Sequence, residues 1–186
     1  MDLTSQLLIA MPGMGDHNFF QTINLICWQE EHGAMGLVLN RPSQQSIADL
    51  LQHGNDGPNL ERNMQLRTQS VFAGGPVATD QVFVLYTGPL EFEDTLCFGE
   101  HFSLSSSTAI IDAIANGKGP DNFMLFLGYC GWDANQLNEE INRNAWLTVS
   151  ADPNLVFETP ADQQWEAAAN KLGIDINLMS GSYGSA

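Results

Sequence analysis

Positive charge is scarce in this sequence. Six Lys and Arg stand against 22 Asp and Glu in 186 residues, a formal net charge of −16. Between Thr68 and Gly117 there is no cation, while Asp80, Glu91, Glu93, Asp94, Glu100 and Asp112 fall in that stretch. Such a surface repels phosphate backbones and anionic headgroups, which disfavours direct nucleic-acid binding and attachment to membranes. Cysteine is scarce too. Cys27, Cys97 and Cys130 are odd in number and widely spaced, so they form neither a disulfide framework nor a zinc site. All three lie in apolar stretches, and three buried, reduced thiols are expected. No apolar run approaches the ~18 residues of a membrane helix. Asp2 is acidic where a signal peptide would be basic, and Leu7–Met11 is too short for an apolar signal core. A cytoplasmic location is the expectation.

What is present is a globular composition, 44% apolar and 15% charged. A chain of this length buries roughly 70% of the surface its unfolded form exposes, enough for one core and one domain spanning residues 1–186. Residues 180–186 are small and polar and are expected to form a disordered tail.

Apolar and β-branched runs predict strands at Leu7–Ala10, Phe20–Trp28, Met35–Leu39, Ser70–Ala73, Val82–Tyr86, Thr95–Phe98, Phe102–Leu104, Phe123–Leu127, Trp146–Val149 and Leu155–Phe157. Phe123–Leu127 is the most apolar and is expected to be central and covered on both faces. Helices are predicted from Ser46, with Ile47 and Asp49 in the first turn, and from Ser106 or Ser107, ending at Gly117. Two more are predicted, one from Asp133 with Gln136 as its capping partner and one from Thr159 to Gly173. In the last, Trp165, Ala168, Ala169 and Leu172 recur on one face. His53–Asn63 reads as a loop. Strands and helices do not alternate strictly and several strands look hairpin-connected, so the class is α+β with a mixed sheet.

The blocks Leu8–Pro12, Gly33–Pro42, Gly74–Pro76, Leu127–Trp132, Gln136-Leu137, Glu140-Ile141, Asn144–Leu147, Trp165–Ala168 and Gly173–Asp175 follow one another along nearly the whole chain. In these blocks the sequence resembles the AlgH/YqgE family of bacterial proteins. The resemblance implies an α+β fold with a bifurcated sheet, part of it curled into a small barrel, surrounded by helices. It implies a cytosolic protein, and the family name implies a role in transcription of alginate genes. It carries over no activity, cofactor, metal or catalytic residue.

The residues themselves offer several constellations. Gly13-Met14-Gly15 follows a strand, but Asn18 stands where a dinucleotide fingerprint needs glycine, and a turn explains it. Asp16-His17 and Glu100-His101 are acid–His pairs suited to metal or acid–base work only if the fold unites them; adjacent residues of an extended segment point apart. Ser105–Ser107 lies near His101 without a nucleophile elbow, and helix capping accounts for it.

The stronger patch combines Asn40, Arg41 and Pro42 at a strand end, Gly74 and Gly75, and Gly128, Tyr129, Gly131, Trp132 and Asp133, expected to leave the central strand and enter a helix. Strand ends and helix starts expose free N–H groups, and Arg41 is one of six cations, so this patch is expected to take a small anion or a protein partner. The leading expectation is a non-enzymatic protein that acts through a protein partner or small ligand, with an indirect effect on transcription. The alternative is an enzyme acting on a small anionic substrate at this patch.

Overall fold

The computed structural model describes residues 2–16, 19–46, 69–89 and 91–179. Among the described residues, ten strands form one branched sheet: β1 Gln6–Ala10, β2 Ile23–Glu30, β3 Gly33–Val38, β4 Pro42–Ser46, β5 Ser70–Ala73, β6 Val77–Tyr86, β7 Thr95–Phe98, β8 Phe102–Ser105, β9 Phe123–Asp133 and β10 Trp146–Ser150. The order along the sheet is β10-β1-β2-β3-β9-β6-β8-β7, with β4 on β5 and β5 on β9. The α-helices among the described residues are α1 Thr108–Ala115, α2 Gln136–Asn142, α3 Ala161–Asn170 and α4 Ile176–Met179. The class is α+β, and the antiparallel part curls into a half-barrel.

The branch point is β9. Its first half has two neighbours: β5 runs parallel from Val71 opposite Leu125 to Ala73 opposite Leu127, and β6 runs antiparallel. Past Gly128, β3 takes over, pairing Gly36 with Cys130 and Gly33 with Asp133. One long strand therefore serves both branches of the sheet. The segment expected to turn at Gly128 and enter a helix remains a strand for its full length. Gly128 makes the change of partner with a positive φ of 68° rather than a chain reversal.

Both faces of β1 are buried. Leu7 and Ile9 join the main core with Leu25, Phe126 and Trp165, whereas Leu8 and Ala10 join a second cluster with Ile26, Cys130, Trp132 and Trp146. A third cluster packs Ile110 and Ile114 of α1 on Val84, Tyr86 and Leu125. β2 and β3 form an antiparallel hairpin, with Cys27 as the extra residue of a bulge. Ser107 caps α1 by accepting from the Ala109 N–H, and Gly117 follows that helix with a φ of 68°.

Four further expectations need correction. Phe20 is exposed and precedes β2, which begins at Ile23. Leu155–Phe157 lies in a π-helical turn, Asn154–Glu158, not a strand. Local polar groups override its β-branched composition: Asp152 accepts from the Leu155 N–H, and the buried Gln164 amide donates to the Leu155 and Val156 carbonyls. Thr159 ends that turn, and α3 begins after Pro160; Trp165, Ala168 and Ala169 are buried, but Leu172 lies beyond the helix and is 38% exposed. Cys97 is exposed on the short strand β7, while Cys27 and Cys130 are buried. Ser46 ends β4, and the remainder of the helix expected there, the His53–Asn63 loop, His17, Asn18 and residues 180–186 lie outside the described residues.

Candidate functional site

The residues singled out from sequence converge in part. Asn40 pins the chain that precedes β2, accepting from the Ile23 N–H at 3.0 Å and donating to the Gln21 carbonyl at 2.8 Å. Arg41 donates to the Phe20 carbonyl at 3.3 Å, and its own carbonyl accepts from the Ala73 N–H. Pro42 opens β4 opposite Phe72. Gly74 and Gly75 cross directly over β9. A Cβ at Gly74 would sit 2.3 Å from the Gly128 carbonyl oxygen, and one at Gly75 2.2 Å from the Tyr129 carbonyl. These glycines permit a backbone crossing, and Arg41 and Gly75 share a hollow of about 150 Å³ with Phe19 and Pro76.

The remaining candidates diverge. Tyr129 packs edge-on to Phe83 at 5.8 Å. Trp132 and Gly131 open on a cleft, and Asp133 on a separate basin. From Cys130 to Asp133 the strand pairs with β3, so this stretch does not present the free helix-terminal N–H groups expected of it. Helix α2 starts later, at Gln136, whose side-chain oxygen reaches back to the Asp133 N–H at 3.0 Å.

Cys130 stands beside the crossing. Its thiol donates to the Gly74 carbonyl at 3.4 Å. Burial pushes it up to about 12, opposed by a backbone hydrogen bond at Val38 and by the Arg41 charge. Burial likewise raises Cys27 far above the ordinary thiol range, with Cys130 adding to the effect. Neither is a ready nucleophile at neutral pH. His101 and Glu100 sit 3.9 Å apart in the exposed turn between β7 and β8. No group of three or more His, Cys, Asp or Glu suited to a metal occurs among the described residues.

A cleft of about 890 Å³ lies between the loop after β1 and the β9–α2–β10 segment. Its floor is built around Glu140. Trp132 and Trp146 both donate their indole N–H to Glu140 Oε2, at 3.0 and 2.8 Å, and Gln136 donates to Oε1 at 2.9 Å. The two indoles meet edge to face at 6.4 Å, and Phe19 stacks on one and abuts the other edge-on. Three donors on one carboxylate fix both rings through charge-assisted bonds. Around this floor stand Met11, Pro12, Met14 and Met179, and Arg143 is the one cation lining it among the described residues.

Of these residues only Gly131 and Trp132 belong to the sequence-derived patch. Glu140 and Trp146 carry a readable signal: two tryptophans flank a short helix whose Gln136 and Glu140 are four apart and so share a face. Phe19 and the methionines carry none, because only the fold brings the loop after β1 over β9.

A model of the AlgH-like family matches residues 7–177. The chain is 41% identical over 185 residues to a UPF0301 protein of Thioalkalivibrio sulfidiphilus, covering all of this chain and 97% of that one. It is 44% identical to a UPF0301 protein of Pseudomonas syringae pv. tomato, covering 99% and 96%. The solution structure of the AlgH protein from Pseudomonas aeruginosa superposes with a TM-score of 0.81 at 41% identity, over 99% of this chain and 96% of that one. A crystal structure of a Corynebacterium diphtheriae protein, 17% identical, shares the fold with a TM-score of 0.77 over 97% and 92%. On the match over residues 7–177 and the full-length similarity, the chain belongs to the AlgH-like family.

Proposed function

We propose that this protein is a non-enzymatic binding protein and that the cleft over Trp132 and Trp146 receives part of a protein partner. The observation that carries the reading is the Glu140 clamp, which holds a rigid aromatic floor beneath a rim of three methionines. A rigid floor lowers the entropy cost of binding, and flexible thioethers adapt to a partner's side chains. The cleft volume falls within the range of ordinary binding sites. Any effect on transcription runs through that partner, because a net charge of −16 opposes contact with DNA. The enzyme alternative, with a small anion at Arg41 and the Gly128–Asp133 stretch, loses its main support: that stretch is engaged in strand pairing and Arg41 donates to the Phe20 carbonyl.

Met179 supplies a test. It lines the cleft and is 39% exposed. Met179→Asp sets a charge on the apolar rim at an exposed position, where substitutions change stability little. Cross-linked protein complexes are compared for the wild type and this variant in cells, with melting temperature as the control for folding. A partner present with the wild type and lost with the variant supports the reading; identical partners with both overturn it.

A further inference from the structure

Beside the aromatic cleft lies a second depression, of about 330 Å³, and the two differ sharply in chemistry. Asp2, Glu30, Glu31 and Asp133 line this basin, and no cation lines it among the described residues. The β9–α2 junction separates the two. Trp132 faces the cleft and Asp133 the basin; Gln136 and Glu140 face the cleft, Leu137 and Asn138 the basin. Trp132, Leu137 and Ala34 belong to one buried cluster, so the depressions share a wall. The first turn of α2 is the ridge between them.

Building on the binding reading above, we infer that the occupant is an extended segment of a partner protein that lays an apolar side chain in the cleft and Lys or Arg in the acidic basin. Charge decides the second half. A basin lined by four carboxylates and no cation among the described residues attracts positive charge, whereas an acidic segment is repelled both there and by the surface as a whole. The ridge sets the spacing. A helix is about 10–12 Å across, and an extended chain advances about 3.3 Å per residue, so roughly three or four residues separate the apolar anchor from the basic one. The segment crosses the ridge over Asn135 and Glu139, both exposed.

The probes are two fluorescein-labelled peptides, Lys-Lys-Gly-Ser-Gly-Phe-Leu and the same sequence with Glu-Glu in place of Lys-Lys. Each is titrated into the full chain by anisotropy, and binding is mapped by NMR through the indole N–H resonances of Trp132 and Trp146 and the amides of Gly33 and Asp133. The lysine peptide is expected to shift both sets of resonances and to bind at least roughly tenfold more tightly than its acidic partner, with the difference shrinking in salt. Glu30→Lys/Glu31→Lys abolishes the preference, and the milder Glu31→Gln/Asp133→Asn pair moves it the same way. Glu91→Lys/Glu93→Lys, which changes net charge equally and touches neither depression, leaves it in place. If both peptides shift the indole resonances equally and the basin variants change nothing, the charge half is overturned and the cleft reading stands. If neither peptide moves the indole resonances, the cleft reading falls and this inference falls with it.

Discussion

Trp132 and Trp146 donate to the same oxygen of Glu140, one from the central strand and one from the edge strand that follows helix α2 in sequence. A single carboxylate thus ties β9, α2 and β10 together and holds the cleft floor. Glu140→Ala leaves two part-buried indole N–H groups without that acceptor. An unsatisfied buried donor costs about 1–3 kcal/mol, so a loss of about 2–4 kcal/mol is expected in urea denaturation. Glu140→Gln keeps one carbonyl acceptor and should lose less. Equal effects from both substitutions would show that the carboxylate does not organise the floor.

Trp165 docks α3 into the main core and donates its indole N–H to the Ala10 carbonyl at 2.9 Å. Trp165→Ala removes the ring and orphans that carbonyl. A cost of about 3–5 kcal/mol is expected, seen as a large drop in melting temperature. An unchanged melting temperature would mean that α3 does not close the core.

Gly128 and Gly131 lie three residues apart on β9 but carry opposite expectations. Gly128 has a φ of 68°, and a Cβ there would stand 2.6 Å from the Val77 carbonyl oxygen. Gly128→Ala should destabilise by at least about 1–2 kcal/mol from the left-handed backbone alone, while Gly131→Ala should stay within about 0.5 kcal/mol of the wild type. Parallel chemical denaturation of both variants checks this, and similar values for the two would contradict the crossing at Gly128.

The three thiols should separate by reactivity. Cys97, exposed, is labelled quickly by a thiol reagent at neutral pH, whereas Cys27 and Cys130 react only as the chain opens. Alkali adds a second readout. Burial raises Cys130 from 9.0 to about 12 in the folded chain, so its contribution to stability is fully present below pH 9. That contribution is lost as pH rises from 9 toward about 12, because the unfolded chain releases the proton first. Cys130→Ala should flatten this part of the stability profile; an unchanged slope would show that the thiol is not what titrates.

The isolated protein should not bind DNA usefully. Three of its six cations, Arg41, Arg62 and Arg67, fall close together in sequence, but the −16 charge opposes approach most strongly at low salt. A fluorescence-anisotropy titration with duplex DNA at low ionic strength should show no submicromolar binding. Salt-sensitive binding in that range would replace the partner reading with direct regulation.

Most strands were legible because their apolar runs are local and bounded by turns. Thr95–Phe98 matches β7 residue for residue, and Leu7–Ala10 misses β1 by one residue. The family was legible because its blocks run in order along the chain, as the match over residues 7–177 bears out. The failures had non-local or competing causes. Leu155–Phe157 has a strand's composition, but the Gln164 amide, several residues further on in α3, claims two of its carbonyls. Gly128 reads as a strand-ending turn, yet β3 and β6 supply pairing partners from distant sequence that carry the strand onward.

The acidic charge, the scattered cysteines and the sequence blocks that mark the family are properties of the chain alone, and the sequence by itself determined them. Tertiary structure decided which residues share a cavity. Phe19 reaches Trp132 and Trp146 only because β1 pairs with β10 on one side and β2 on the other, which brings the loop after β1 over the end of β9. The physical reason is that apolar periodicity specifies which face of a strand is buried, while strand pairing across long sequence separations specifies what lies against it.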